Sequence, residues 1–240
     1  MRNKKINTLL ALMFTLMMAT FTSPIVLADG MVVDKIYHPY VVANEQSIEW
    51  RLMSSQTSAD NVLAQRIGYG LSLLEDLAVE YFIIGERDET GNFELQATEI
   101  EARWMLTEQG QFWADWGVLF ELEKQRSLNI YEATMGLIFE KELNKNSLTL
   151  NLFAIKEWGK DIQDEWELEF RAQYRYRYLP ELQPSLEIYT GENFVGLGPG
   201  FMGVHRFEGQ KQLKWEAGFI SEVSHKGKNH TLRFAIEYEF

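Results

Sequence analysis

Strict alternation of apolar and polar side chains is the feature that most constrains how this chain folds. Between Trp166 and Tyr178, every even position is apolar or aromatic and every odd position is charged or an amide. A strand sorts two such sets onto opposite faces, whereas a helix would scatter both around its circumference. Residues 230–240 repeat the pattern almost as cleanly. The body of the chain is therefore predicted to be all-β.

Turn-forming clusters divide this body into segments of about ten residues. We predict twelve antiparallel strands, with ten as the alternative, and the twelve lie near 47–54, 65–74, 78–87, 93–106, 112–124, 130–143, 147–156, 165–178, 185–193, 201–208, 211–223 and 230–240. Gly196–Gly200 is predicted to be a loop. The apolar phase slips within the fourth strand, which predicts a bulge near Thr98.

The N-terminal region has a different character. Residues 1–28 combine a short basic start, an uncharged apolar stretch and a small residue at Ala28, as a secretory signal peptide does. Residues 29–46 lack alternation, and they are expected either to fold into the lumen or to pack at the periplasmic rim. The predicted organisation is a signal peptide over 1–28, this segment over 29–46, and a barrel over 47–240.

Composition excludes several classes of protein. The chain has no cysteine, which removes disulfide scaffolds and cysteine-based metal sites. Its net charge of −12 argues against nucleic-acid binding, because phosphate contacts need clustered Lys and Arg. The spacing of Met and His does not suggest a metal site, and no cofactor is expected.

Three features indicate that the apolar face points outward, into lipid. The polar face is heavily ionic, and twelve strands exceed the ~8 whose side chains fill a compact barrel. Aromatic residues also cluster near strand ends, where the interfacial girdles of membrane barrels lie: Trp50, Tyr81, Trp104, Phe112, Tyr178 and Tyr238. The predicted fold is an antiparallel up-and-down transmembrane β-barrel.

The C-terminus resembles the terminal signal of Gram-negative outer-membrane β-barrel proteins. Ile236, Tyr238 and Phe240 place an apolar residue, an aromatic residue and a final Phe on one strand face. The resemblance implies a porin-like barrel in the outer membrane, with lipid, lipopolysaccharide and the barrel-assembly machinery as partners. An even number of strands then puts both termini on the periplasmic side.

With the apolar face outside, acidic residues dominate the predicted lumen. The lumen-lining residues that we single out are Glu99, Glu101, Arg103, Asp115, Glu121, Glu123, Glu167, Glu169, Arg171, Arg175, Arg177 and Arg233. Carboxylate rings favour positive solutes, so the sequence predicts a small passive channel for cationic or neutral solutes. The alternatives are a non-conducting structural barrel whose lumen is filled by ion pairs, and an outer-membrane lipid-modifying enzyme.

Candidate catalytic and lipid-contacting groups are few. None of the four histidines stands in a run resembling the phospholipase or lipid A deacylase motifs, and no catalytic residue is assigned. Lys226 and Lys228 lie in the connection between the last two predicted strands, which the strand parity places outside the cell. They are candidates for contact with lipopolysaccharide phosphates, because Lys supplies a mobile point charge.

Overall fold

The computed structural model describes residues 32–56, 61–87, 91–192, 194–224 and 229–240. Its strands close into a single antiparallel barrel in which each strand pairs with its neighbours in the chain and β12 pairs with β1. The strands are β1 Gln46–Gln56, β2 Asn61–Ser72, β3 Leu77–Arg87, β4 Phe93–Met105, β5 Asp115–Gln125, β6 Ile130–Leu143, β7 Asn146–Gly159, β8 Glu165–Tyr176, β9 Gln183–Thr190, β10 Val195–Arg206, β11 Gln212–Glu222 and β12 His230–Glu239. The prediction of an all-β barrel with about twelve strands is confirmed.

The two faces of the barrel wall differ as the alternation predicts. In β8, Trp166 and Leu168 are each 69% exposed on the outside, while Glu169 is buried on the inside. Large apolar side chains are exposed all around the wall, such as Ile67, Leu122 and Leu152. So much apolar surface is incompatible with water and typical of contact with lipid.

One local prediction needs correction, and another is confirmed. Gly196–Gly200 is part of β10 and not a loop: its glycines point inward and alternate with Leu197 and Pro199 outside. Inside the wall these glycines leave room for large neighbours, since a Cβ on Gly200 would overlap the Glu187 carboxylate. The bulge predicted near Thr98 is present in β4 and lies at Gln96, because Ile84 pairs with Ala97 and Gly85 with Leu95.

The barrel has two rims, which we name by the chain ends. At the terminal rim, Gln46 and Phe240 exchange backbone hydrogen bonds of 3.1 and 2.9 Å. The opposite rim carries the connections after the odd-numbered strands, each four to seven residues long by the strand bounds. Short connections at both rims leave closure of the lumen to residues inside the barrel.

Aromatic side chains gather near both rims on the outer surface. Trp113, Trp116 and Phe139 pack together near the terminal rim, and Tyr131 stacks on Trp158 near the opposite one. Such belts match the two interfaces of a bilayer. In the described part of the chain, no helix is long and apolar enough to cross a membrane.

Candidate functional site: the barrel lumen

The predicted lumen residues occupy inward-facing positions on the wall. Glu101 is 1% exposed, and Asp115, Glu169 and Arg233 are also buried. Arg177 follows β8 near the terminal rim and remains partly exposed. The strand phases therefore bring these residues together in one polar interior.

Ion pairs across the interior fill much of this polar space. Arg233 contacts Glu187 at 2.6 Å and Glu216 at 2.7 Å, which joins β9, β11 and β12. Arg175 reaches Glu140 from two strands away at 3.0 Å. Buried charges require such partners, because an unpaired charge away from water is costly.

Residues 32–42, here called the lumen segment, run through the barrel from one rim to the other. At the terminal rim, the carbonyl of Val42 accepts a hydrogen bond of 2.6 Å from Ser72. At the opposite rim, a Cβ on Gly191 would lie 2.9 Å from Val32. Between them, Pro39 passes Gly117, where a Cβ would lie only 3.0 Å from the proline ring. The segment therefore occupies the length of the lumen.

Charged groups anchor the middle of the lumen segment to the wall. Lys35 Nζ lies 3.0 Å from both carboxylate oxygens of Glu49 and 3.5 Å from Glu237. Asp34 accepts a hydrogen bond of 3.3 Å from Arg51, and Arg171 donates one of 2.8 Å to the carbonyl of Lys35. These contacts reach β1, β8 and β12, so the segment is fixed from several sides.

Polar contacts continue towards the terminal rim. The backbone N–H and C=O of Tyr37 both pair with the side-chain amide of Asn151, at 2.8 and 2.9 Å. His38 Nδ1 lies 2.6 Å from Glu140, and the Tyr40 hydroxyl donates to Asp115 at 2.9 Å. The segment is thus held to the barrel wall along its length, as an additional strand without regular backbone pairing would be.

Two apolar clusters complete the docking of the lumen segment, and each combines segment residues with inward-facing wall residues. Val33 and Ile36 pack with Tyr189 and Ile220. The ring of Tyr37 packs against Leu119, Ile138 and Phe153, meeting Phe153 edge-on with centroids 6.1 Å apart. The inward apolar residues of these two clusters therefore have apolar partners from the segment. A space of about 10 Å³ remains beside Asp34 and Arg51, enough for roughly one water molecule.

Glutamates on five adjacent strands form a continuous line on the inner wall, here called the acidic row. Each faces the next in the strand register: Glu99, Glu123, Glu132, Glu157 and Glu165, on β4 to β8. Arg66 meets the row at Glu99, at 2.9 Å. Like charges directly opposite each other weaken a sheet, so the acidic row lowers the stability of the barrel. A role in function would explain why such a row is present.

The described histidines lie in three separate places. His38 is in the lumen beside Glu140, with the Thr149 hydroxyl 3.5 Å from the same nitrogen. His205 lies near the terminal rim against Phe207, and His230 begins β12 at the opposite rim. The three described histidines therefore do not form one cluster. His225 lies outside the described residues, as do Lys226 and Lys228.

The residues predicted to form the assembly signal lie at or near the terminal rim. Tyr238 and Phe240 stack with centroids 5.6 Å apart on the outer surface, and Phe207 contacts Tyr238. Ile236 occupies the same face of β12 and pairs in register with Trp50 and Trp215. A face of this kind is open to a partner in the membrane, as the predicted contact with the assembly machinery requires.

Comparison with known proteins identifies the fold. No family model matches the chain, and no curated protein matches it. The COG4313 outer membrane channel from Pseudomonas putida F1 superposes with a TM-score of 0.60 at 13% identity, covering 87% of this chain and 100% of that one. The fold is that of outer-membrane β-barrel channels.

Two further solved structures support the same assignment of fold. A KdgM porin in complex with disordered oligogalacturonate gives a TM-score of 0.55 at 12% identity, covering 81% of this chain and 99% of that one. A second KdgM porin structure gives 0.52 at 13% identity with the same coverage. At such low identity the similarity concerns the fold, and the solute has to be argued from the residues of this lumen.

Sequence reasoning missed several residues of the site. It did not single out Arg66, which pairs with Glu99, or Glu157 and Glu165 of the acidic row. It placed residues 29–46 either in the lumen or at the rim without assigning a role to any of them. A usable signal was present in Leu119 and Phe153, apolar residues at inward positions that call for an apolar partner inside the barrel.

Proposed function

We propose that this protein is an outer-membrane channel for small cationic or neutral solutes, closed in the described state by its own lumen segment. The observation that carries the proposal is the course of residues 32–42 from rim to rim inside a lipid-facing barrel. A barrel of twelve strands is wide enough to hold a passage, and here a single extended segment fills it.

The orientation follows from the way such barrels assemble. We place Gln46 and Phe240 at the periplasmic face, as the parity argument expects. The opposite rim then faces the outside of the cell. Val32 lies at that outer rim, beside Gly191, so the expectation of two periplasmic ends applies to the barrel strands and not to the start of the lumen segment.

The acidic row supports a preference for positive solutes. Glu123 and Glu132 have no Lys, Arg or His within 4 Å among the described residues, and neither does Glu167 near the outer rim. Carboxylates near the entrance of a pore raise the local concentration of cations and lower the barrier to their passage.

A disulfide lock tests the closed-channel proposal. Pro39→Cys combined with Gly117→Cys places two Cβ atoms about 3.0 Å apart, within a small shift of the ~3.8 Å of disulfides, in a chain with no other cysteine. We expect the oxidised double variant to stay closed in planar bilayers. After reduction it should open, as the two single-cysteine control variants should. In a salt gradient, the open state should be cation-selective, and Glu123→Gln with Glu132→Gln should weaken that selectivity. Anion preference in the open state would contradict the solute assignment.

A second function is favoured by one observation, the tight packing of Ile36 and Tyr37, which are 0% and 1% exposed. A segment docked this well suits a non-conducting structural barrel. Deletion of residues 32–42 distinguishes the two: a channel gains steady conductance, whereas a barrel stabilised by the segment fails to fold or stays silent.

A further inference from the structure

Three carboxylates that meet inside the barrel have fewer positive partners than the ion pairs elsewhere in the lumen, since Arg66 pairs with Glu99 and Arg51 lies 3.8 Å from Glu101. Glu101 on β4 directly faces Glu121 on β5, and Glu99 lies two residues away on the same face of β4. One oxygen from each carboxylate lies within 4.8 Å of the other two. Three negative charges at this distance repel strongly in a buried setting, so something must hold them together.

The hydrogen bonds around these carboxylates supply too few donors. The Tyr37 hydroxyl lies 2.9 Å from Glu101 Oε2 and 3.0 Å from Glu121 Oε1, but its single proton can serve only one of them. Arg66 donates to Glu99 at 2.9 Å. Glu121 has no Lys, Arg or His within 4 Å among the described residues.

A separate observation points to a missing ligand. Glu101 is only 1% exposed, and its Oε1 atom has no hydrogen-bond partner among the described residues. Buried polar atoms are nearly always paired, so an orphan carboxylate oxygen indicates a bound group that completes its environment. By contrast, the equally buried Glu187 is paired by Arg233, Gln173 and Tyr189.

We propose that Glu99, Glu101 and Glu121 form a binding site for one divalent cation of the calcium type. Oxygen ligands alone suit a hard cation. Oxygens within 4.8 Å of one another can converge on one such ion with a small movement of the side chains. Ca²⁺ accepts flexible coordination geometry, whereas Mg²⁺ demands near-ideal octahedral coordination, so the irregular arrangement suits Ca²⁺ better. The cation joins β4 to β5 beside Tyr37, and its binding does not depend on whether the lumen conducts.

Calcium binding to the refolded full barrel tests the site directly. The protein is prepared without lipopolysaccharide, which binds divalent cations itself, and ⁴⁵Ca²⁺ binding is measured by equilibrium dialysis with excess Mg²⁺. We expect one Ca²⁺ per barrel, and at least a tenfold loss of affinity in Glu121→Gln and in Glu101→Gln. Glu142→Gln, which removes an inward acid paired with Arg177, serves as the matched control and should bind as the unaltered protein does.

Two outcomes would overturn the proposal. One is the absence of stoichiometric binding below millimolar Ca²⁺ in a barrel shown to be folded by its heat-modifiable gel mobility. The other is unfolding resistance that rises on acidification but not with Ca²⁺, which would assign the missing partner to a proton. Should a Gln variant fail to fold, Glu121→Asp provides the second test. The shorter side chain keeps the charge but moves the carboxylate away from the cation, so weaker binding is again expected.

Discussion

Lys35 offers the sharpest test of how the lumen segment is held. Its ammonium contacts Glu49 and Glu237, and the three side chains are 7%, 1% and 11% exposed. Removing one partner of a buried ion pair costs about 3–5 kcal/mol. Glu49 retains Arg51 at 2.9 Å, so Lys35→Met should cost about 3 kcal/mol, near the lower limit of that range. This corresponds to a change of about 10²-fold in an equilibrium constant.

A matched control carries the same substitution at an exposed pair. Lys156 lies 3.7 Å from Asp164, with side chains 37% and 65% exposed, and Lys156→Met should cost at most about 1 kcal/mol. Urea unfolding of the barrel in lipid vesicles gives the loss of stability for both variants. Bilayer recordings show whether Lys35→Met instead raises the open fraction, as local release of the segment would. Equal, small effects of the two substitutions in both assays would refute the anchoring role of Lys35.

Three further predictions concern the rims. Deleting Phe240 should reduce assembly into the outer membrane, measured by heat-modifiable mobility, and unchanged insertion would remove its role as a signal. Partial burial and the nearby Glu239 carboxylate raise the pKa of Glu45 to about 8. Folding therefore favours protonated Glu45, and its contribution to stability is complete below about pH 4 and lost as the pH rises to about 8. Unfolding midpoints measured from pH 5 to 9 should fall accordingly, and Glu45→Gln should flatten that dependence. Changing Lys226 and Lys228 to Gln should lower barrel stability only when lipopolysaccharide is present, and an equal effect without it would leave the loop an ordinary turn.

The strands were predictable because alternation is a local property of the sequence. The polarity of each residue in β8 indicates which face of the strand it occupies, so neither its neighbours in space nor the closure of the barrel had to be known. The same locality explains the error at Gly196–Gly200. Glycine runs usually mark turns, and only the approach of residues distant in the sequence, such as Phe219 beside Gly198 and Glu187 beside Gly200, explains why side chains are missing from the inner face there.

The closed lumen was harder to predict because it depends on contacts far apart in the sequence. The pairing of Tyr37 with Asn151 joins residues 114 positions apart. Inward Leu119 and Phe153 indicate that something apolar occupies the barrel, but not which segment supplies it. Residues 29–46 could be assigned either to the lumen or to the rim because they lack the periodicity from which the strands were inferred.

Closure by a segment of the same chain determines how the lumen could open. Only residues 43–45 separate Val42 from β1, so a released segment stays at a millimolar effective concentration and rebinds readily. A cationic solute can replace the charge of Lys35 at Glu49, but it leaves the packing of Ile36 and Tyr37 intact. Opening should therefore require the charged and apolar contacts to break together, which predicts rare transitions between one closed and one open level. Single-channel recordings of the unaltered protein test this, and a graded series of partial conductances would show that the contacts release one by one.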